Sequence, residues 1–161
     1  MSRLPSLGPR GEGWVAIQGV LFAAIGLAGT PVHGGWTGPA AAASVVAGSL
    51  LLLAGGALAA AGIAGLRRGD ALTAVPHPRD EASLVDTGAY RLVRHPVYGG
   101  LVLAAAGWGL IRASLPAIVL AALLLGFFDL KRRREEAWLS VRFPAYAGYA
   151  ARTRRMIPWL Y

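Results

Sequence analysis

The sequence predicts an all-α fold: an integral membrane helical bundle with about four transmembrane helices, a C-terminal helical hairpin and a cytoplasmic C-terminal segment. The first observation behind this prediction is composition, because the mean hydropathy is +0.51, 55% of the residues are hydrophobic and only 15% are charged. A chain of 161 residues with these values is too apolar for an ordinary soluble domain. The second observation is a set of four aliphatic runs, Trp14 to Thr30, Ala40 to Leu66, Val97 to Ile111 and Leu115 to Leu130.

The lengths of these runs decide how well each one matches a bilayer. The second run is long enough to span with tilt, since a helix needs ~20 apolar residues to cross a ~30 Å hydrocarbon core. The third and fourth runs are shorter. They cross if flanking Arg and Lys side chains snorkel to the surface, or they form a tight hairpin that barely reaches the far side. For these two, a buried hairpin of a soluble protein is the alternative. For the first run, which follows Arg3 and Arg10, the alternative is a signal peptide.

The distribution of charge indicates the topology. The formal net charge is +8 and the pI is near 11.0, but if all four runs cross, every Lys and Arg except Arg112 falls on one side. The positive-inside rule then places both termini and the long middle segment in the cytoplasm, with anionic lipid head groups as neighbours. The Ala-, Gly- and Arg-rich composition indicates a bacterial inner membrane. This clustering argues against nucleic acid as a partner. No metal site is expected, since the chain lacks Cys and its three histidines, His33, His77 and His95, are dispersed.

We treat residues 1–161 as a single membrane domain, with two N-terminal transmembrane helices in 1–66 and a loop, a hairpin and a C-terminal segment in 67–161. Small residues four apart in the second run, such as Gly56 with Ala60 and Ala61 with Gly65, predict close helix packing. Pro76, Pro78 and Gly88 predict a compact loop before the third run. The fourth helix is expected to continue from Lys131 to Arg142 and to stop at Pro144, and Pro158 is expected to end a second helical stretch.

The stretch "RLVRHPVYGG", residues 91 to 100, stands at the start of the third run. Pro96 favours the first helical turn and pushes His95 towards an extended conformation, so His95 is the predicted cap. The free N–H groups of that turn, together with Arg94, predict an anion site. Gly99 and Gly100 would let a ligand approach the backbone, and Tyr98 supplies a ring and a hydroxyl beside it.

The hairpin predicts what lies opposite this helix start. Its arms, from His95 to Arg112 and from Leu115 to Glu135, run ~26 Å and ~30 Å at a rise of about 1.5 Å per residue. Glu135 and Glu136 should therefore return to the depth of His95, which makes a cleft suited to a zwitterionic or cationic ligand. The alternative is that both glutamates pair with Lys131 and Arg132 on their own helix.

Three segments together, "GAYRLVRHPVYGG" from Gly88, "EEAWL" from Glu135 and "FPAYAGY" from Phe143, resemble the signature of the isoprenylcysteine carboxyl methyltransferase and phospholipid methyltransferase superfamily. The resemblance extends from Val85 onward. The first two runs carry no motif and are consistent with the variable N-terminal helices of that superfamily.

The resemblance implies an integral membrane enzyme that binds S-adenosylmethionine in a cytoplasm-facing pocket formed by the last helix pair, the loop before it and the C-terminal segment. It implies that Glu135 or Glu136 holds a polar part of the cofactor. Aromatic faces near the positive sulfur are the expected contribution of tyrosines. The full predicted cofactor set is Tyr90, Arg94, His95, Pro96, Tyr98, Gly100, Glu135, Glu136, Tyr146 and Tyr149.

The function expected from this resemblance is S-adenosylmethionine-dependent methyl transfer to a small or lipid-like acceptor at the cytoplasmic face. Carboxylate, amine and thiol acceptors remain open, as do the oligomeric state and any catalytic side chain. Arg154 and Arg155 are predicted to meet an acidic head group of the substrate, with lipid phosphates as their alternative partner. The alternative function is a non-catalytic membrane protein whose basic tail anchors lipid or a partner.

Overall fold

In the computed structural model, the residues described are Pro5, 7–30, 35–78 and 80–161. Arg3, His33, Arg79 and part of the segment between Pro31 and Pro39 lie outside them. The fold is all-α, as predicted, and no sheet occurs in these ranges. The helices are α1 (Glu12–Ala28), α2 (Pro39–Arg68), α3 (Pro96–Ile111), α4 (Leu115–Arg142) and α5 (Tyr146–Arg152), with a 3-10 turn at Gly88–Arg91.

The helix ends follow the local sequence signals. His95 directly precedes Pro96 at the start of α3, as predicted. The α3–α4 turn is short, and Ser114 caps α4 by accepting a 3.3 Å hydrogen bond from the backbone N–H of Ala117. Helix α4 continues to Arg142, which confirms its predicted extension. Phe143 is extended, as is usual for a residue before proline.

One predicted helix end is wrong. The stretch expected to continue to Pro158 stops at Arg152, and Thr153 is extended. The reason is a backbone pairing that a helix could not make. The amide of Arg94 donates to the carbonyl of Arg154 at 2.8 Å, and the amide of His95 donates to the carbonyl of Arg155 at 2.9 Å. The C-terminal segment therefore lies across the start of α3.

Helices α2 and α3 pack backbone to backbone through glycines seven residues apart. A Cβ on Gly48 would lie 2.7 Å from the carbonyl oxygen of Gly107, and one on Gly100 would lie 2.5 Å from that of Gly55. Close packing through small residues was predicted, but the contacts with α3 use glycines seven apart rather than the pairs four apart. Gly56, for example, faces open space. A spacing of seven keeps one face in contact over successive pairs of turns.

Hydrogen bonds between helices join three elements at the end of the bundle that lies opposite the candidate site. The Ser114 hydroxyl donates to the carbonyl of Ala28 at 2.7 Å, and that of Ser44 donates to the carbonyl of Leu110 at 3.2 Å. The α3–α4 turn, the end of α1 and the start of α2 therefore meet at one end of the bundle. His95, Glu135 and the α2–α3 loop lie at the other.

Large apolar side chains cover the outside of the bundle, including Val20, Leu27, Leu50, Leu53 and Leu123. Among the described helices, α2 is long and apolar enough to cross a membrane by length and composition, while α1 and α3 are apolar but shorter. The apolar exterior is typical of a surface that meets lipid rather than water. The number of crossings stays a prediction, and so does the division into a single membrane domain.

Candidate ligand-binding site

A cavity opens where α3 begins and α4 leaves its apolar run. It encloses about 870 Å³, open solvent at its mouth included. The α2–α3 loop forms one wall, and residues of α3, α4 and α5 form the other. Most of the lining is apolar or aromatic, including Leu72, Pro76, Val85, Leu139 and Phe143.

Beside the cavity, Glu136 joins the helix start to α4. Its Oε1 accepts hydrogen bonds from Arg94 Nε at 3.1 Å and from His95 Nε2 at 3.0 Å, and its Oε2 lies 3.5 Å from an Arg132 nitrogen. Burial alone would raise the pKa of this carboxyl, but the bond and charge of His95, followed by those of Arg94, outweigh burial and lower the pKa to about 2. Glu136 is therefore ionised at neutral pH, and its bond to His95 requires a hydrogen on Nε2.

The charge of Arg94 is used inside the protein. Besides Glu136, its guanidinium donates to the carbonyls of Ala150 at 2.8 Å and Thr153 at 2.6 Å, and its side chain is only 9% exposed. Arg94 lines the cavity, but its charge is already compensated by the Glu136 carboxylate and by two backbone carbonyls. The prediction that it supplies a free positive charge to an anion site is therefore corrected. Its hydrogen bonds join the start of α3 to α4 and to the end of α5.

Glu135, the neighbour of Glu136, faces the cavity and has different partners. Its Oε2 accepts a 2.8 Å hydrogen bond from the Tyr98 hydroxyl and lies 3.7 Å from His95 Nδ1. The Tyr98 ring stacks between His95, at 5.4 Å between centroids, and Phe128, at 4.5 Å. This stack fixes the direction of the hydroxyl. Glu135 is thus an oriented carboxylate in an aromatic cavity.

The alternative that the glutamates pair on their own helix accounts for one contact, the 3.5 Å approach of Arg132 to Glu136. Lys131 goes elsewhere. It is 1% exposed, and its ammonium donates to Gln18 Oε1 at 2.6 Å and to the carbonyl of Ala74 at 3.0 Å. Lys131 therefore ties α1 and the cavity loop to α4. Nothing in its sequence position signalled this role.

Three further tyrosines, Tyr90, Tyr146 and Tyr149, line the cavity. Burial is the largest cause that raises the pKa of each, so all three hydroxyls keep their protons. The hydroxyl of Tyr149 donates to the carbonyl of Tyr90 at 3.0 Å. The hydroxyl of Tyr146, a residue only 4% exposed, has no partner among the described residues. An unpaired buried donor in a cavity is available to a ligand.

Seven of the ten predicted cofactor residues line this cavity, and Pro96, Gly100 and Glu136 do not. The idea that Gly99 and Gly100 admit a ligand is corrected, because protein backbone fills both places. A Cβ on Gly99 would collide with the carbonyl of Met156, and Gly100 faces Gly55. Arg154 and Arg155 also lie outside the wall and point their side chains outward, so their substrate role stays a prediction.

A sequence profile described as phospholipid methyltransferase matches residues 43–145. The chain belongs to the phospholipid methyltransferase family. The family match confirms the resemblance seen in the motifs and extends it upstream of Val85 into α2. The matched residues thus include most of α2, where no motif was seen, together with its close contact with α3. The family match ends just before Tyr146, so α5 lies beyond it.

Among curated proteins, the chain is similar to the cobalt-zinc-cadmium resistance protein CzcN of Cupriavidus metallidurans. The two are 35% identical over 83 residues, which cover 51% of this chain and 38% of CzcN. The chain thus spans well under half the length of this relative. No solved structure matches the chain.

Sequence reasoning missed most of the cavity wall that comes from the α2–α3 loop. Leu72, Pro76 and Val85 line the site, yet the loop has no periodicity that would mark them. Leu139 and Phe143 were findable, since both belong to the quoted motifs. Their role as cavity lining follows from their position one and two turns beyond Glu135.

Proposed function

We propose that this chain is an integral membrane methyltransferase that uses S-adenosylmethionine to methylate a small or lipid-like acceptor at the cytoplasmic face. Family membership supports the reaction class. The single observation that carries the proposal is that one aromatic cavity contains both the oriented Glu135 carboxylate and the unpartnered Tyr146 hydroxyl. An acceptor and a donor of hydrogen bonds are thus both available to one ligand.

The cavity residues fit the chemical groups of S-adenosylmethionine. Glu135 would accept from its amino group or ribose hydroxyls, and Tyr146 would donate to one of its acceptor atoms. The faces of Tyr90 and Tyr149 would lie near a cationic sulfur, which attracts aromatic rings. The apolar loop residues would cover the adenine. When bound, the cofactor supplies an activated methyl group.

The role of this chain's own residues is then alignment and exclusion of water, because methyl transfer is an in-line displacement with little proton chemistry at the donor. The Tyr98 ring, held between His95 and Phe128, fixes Glu135. The Glu136–Arg94 pair fixes α5 and hence Tyr146 and Tyr149. No side chain is assigned as a base, and the acceptor stays open among carboxylate, amine and thiol.

Membrane insertion is supported by the apolar exterior and by charge. Among the described Lys and Arg residues, all but Arg112 lie at the cavity end. With four crossings, this end would face the cytoplasm. The exposed Arg154 and Arg155 would then meet anionic head groups.

The first experiment measures thermal unfolding of the detergent-solubilised protein with S-adenosylhomocysteine. Ligand at 100 times its dissociation constant adds about 2.7 kcal/mol of stability, so the midpoint should rise clearly. Glu135→Gln should reduce the shift, and Glu81→Gln, an exposed loop acid outside the cavity, should keep it. A parent that shows no shift at millimolar ligand favours the non-catalytic anchor instead.

The second experiment identifies the acceptor. The protein is incubated with S-adenosylmethionine labelled in its methyl group and with a membrane extract, and the labelled product is characterised. Label transfer by the parent and its loss in Glu135→Gln support the proposal. Label transfer that is equal in the presence and absence of the protein contradicts it.

A further inference from the structure

A shallow apolar groove runs along the outside of α1 and α3, away from the cavity. It encloses about 570 Å³, open space included, and is lined by Phe22, Ile25, Gly26, Leu101, Ala105 and Trp108. Along α3, the distance from Leu101 to Trp108 is ~10 Å at a rise of about 1.5 Å per residue. The groove is therefore long enough for part of one acyl chain.

A single charge stands at one end of this groove. Arg112 lies one helical turn beyond Trp108, with its guanidinium 5.6 Å from the centre of the indole ring. Its Nε donates to the carbonyl of Gly29 at 2.8 Å. The chain has no Asp or Glu between Glu12 and Asp70 or between Asp86 and Asp129. The segments that form this end of the bundle thus contain no carboxylate for Arg112.

We propose that the groove and Arg112 together bind one anionic glycerophospholipid, with an acyl chain in the groove and the phosphate at the guanidinium. Arg112 is the one charged side chain at this end of the described bundle, and an arginine without a protein counter-ion in a half-buried site favours an external anion. Charge complementarity selects the head group, and the apolar groove selects a lipid over a soluble phosphate. This site rests on the proposed membrane location but not on the methyltransferase activity.

The groove is tested by two glycines of α1 that form a matched pair. An added Cβ meets nothing within 4 Å at either Gly26, which lines the groove, or Gly19, which lies two turns away outside it. Gly26→Leu should therefore fill the groove without disturbing the fold, and Gly19→Leu is its control. Retained phosphatidylglycerol is counted by native mass spectrometry of the delipidated, reloaded protein. Gly26→Leu should retain about five-fold less than the parent, and Gly19→Leu should match the parent.

The charge is tested with two lipids that have the same chains, phosphatidylglycerol and phosphatidylcholine. The parent should prefer the anionic lipid, Arg112→Gln should lose about five-fold of that preference, and Arg112→Lys should keep part of it. Arg67→Gln, an exposed arginine at the cavity end, is the control. sn-Glycerol 3-phosphate alone should not raise the unfolding midpoint.

Three results would overturn the lipid site: equal retention of the two lipids, full retention by Gly26→Leu, or stabilisation by the soluble phosphate as large as by the lipid. If Arg112 serves only as a cap on the end of α1, Arg112→Gln lowers the midpoint equally with either lipid. The shift with S-adenosylhomocysteine is measured on the same variants. It should be unchanged, because the cavity lies at the other end, so failure of one proposal does not mimic failure of the other.

Discussion

Glu136 and Arg94 stand 42 positions apart in the chain and are joined by a 3.1 Å hydrogen bond. The bond connects the start of α3 to the polar half of α4, and Arg94 also donates hydrogen bonds to carbonyls at the end of α5. Glu135, one residue earlier, contacts Tyr98 and the cavity instead. The adjacent acids therefore divide the work: Glu136 holds the helices together, and Glu135 is free to meet a ligand.

The first prediction follows from this division. Glu136→Gln removes the charge that pairs with Arg94 and His95 and should lower the free energy of unfolding by about 1 to 3 kcal/mol. Glu135→Gln should change it by much less. Chemical or thermal unfolding in detergent measures both, with Glu81→Gln as the exposed control. Equal losses for the two glutamates would contradict the division.

The second prediction concerns acid. The pKa of Glu136 is lowered from 4.5 to about 2 in the folded protein, and a carboxyl shifted in this direction stabilises the fold above its unfolded pKa and loses that contribution as pH falls towards its folded pKa. The unfolding midpoint of the parent should therefore drop between about pH 5 and about pH 2. Glu136→Gln should show a shallower drop over the same range. If the midpoints of the two proteins fall in parallel with pH, carboxyls other than Glu136 dominate the loss of stability in acid, and the prediction is wrong.

The third prediction separates two buried tyrosine hydroxyls. Tyr146→Phe removes a donor without a partner among the described residues, so stability should stay equal or rise, since an unsatisfied buried group costs about 1 to 3 kcal/mol. Tyr149→Phe removes the bond to the Tyr90 carbonyl and should cost about 1 kcal/mol. Calorimetry with S-adenosylhomocysteine should show weaker binding for Tyr146→Phe. Unchanged affinity there would remove Tyr146 from the proposed cofactor contacts.

Much of the helical architecture was predictable because its signals are local. The aliphatic runs predicted the helices, and Pro96 with its preceding residue predicted the start of α3. The meeting of Glu135 with the His95 region followed from the rise of a helix and a short turn. These inferences need only chain geometry, so they do not depend on which side chains pack together.

The predictions that were wrong concern features that depend on tertiary contacts. The chain offers many pairs of small residues, and only packing selects Gly48 and Gly55 over Gly56. Thr153 leaves the helix because its neighbours pair with the backbone of Arg94 and His95. The neutralisation of Arg94 required knowing that carbonyls of α5 and Thr153 come within reach. None of these choices is visible in a local pattern.

The last prediction tests the α2–α3 contact with neighbouring glycines. A Cβ on Gly55 would lie 2.7 Å from the amide nitrogen of Ala104, whereas one on Gly56 meets nothing within 4 Å. Gly55→Ala must push α3 away and should cost about 1 to 3 kcal/mol, while Gly56→Ala should be neutral or gain up to about 1 kcal/mol from helix propensity. Unfolding midpoints of both variants in one detergent make the comparison. Because α3 carries His95 and Tyr98, Gly55→Ala should also weaken S-adenosylhomocysteine binding, and a variant that is destabilised yet binds as the parent does would show that the cavity tolerates movement of α3.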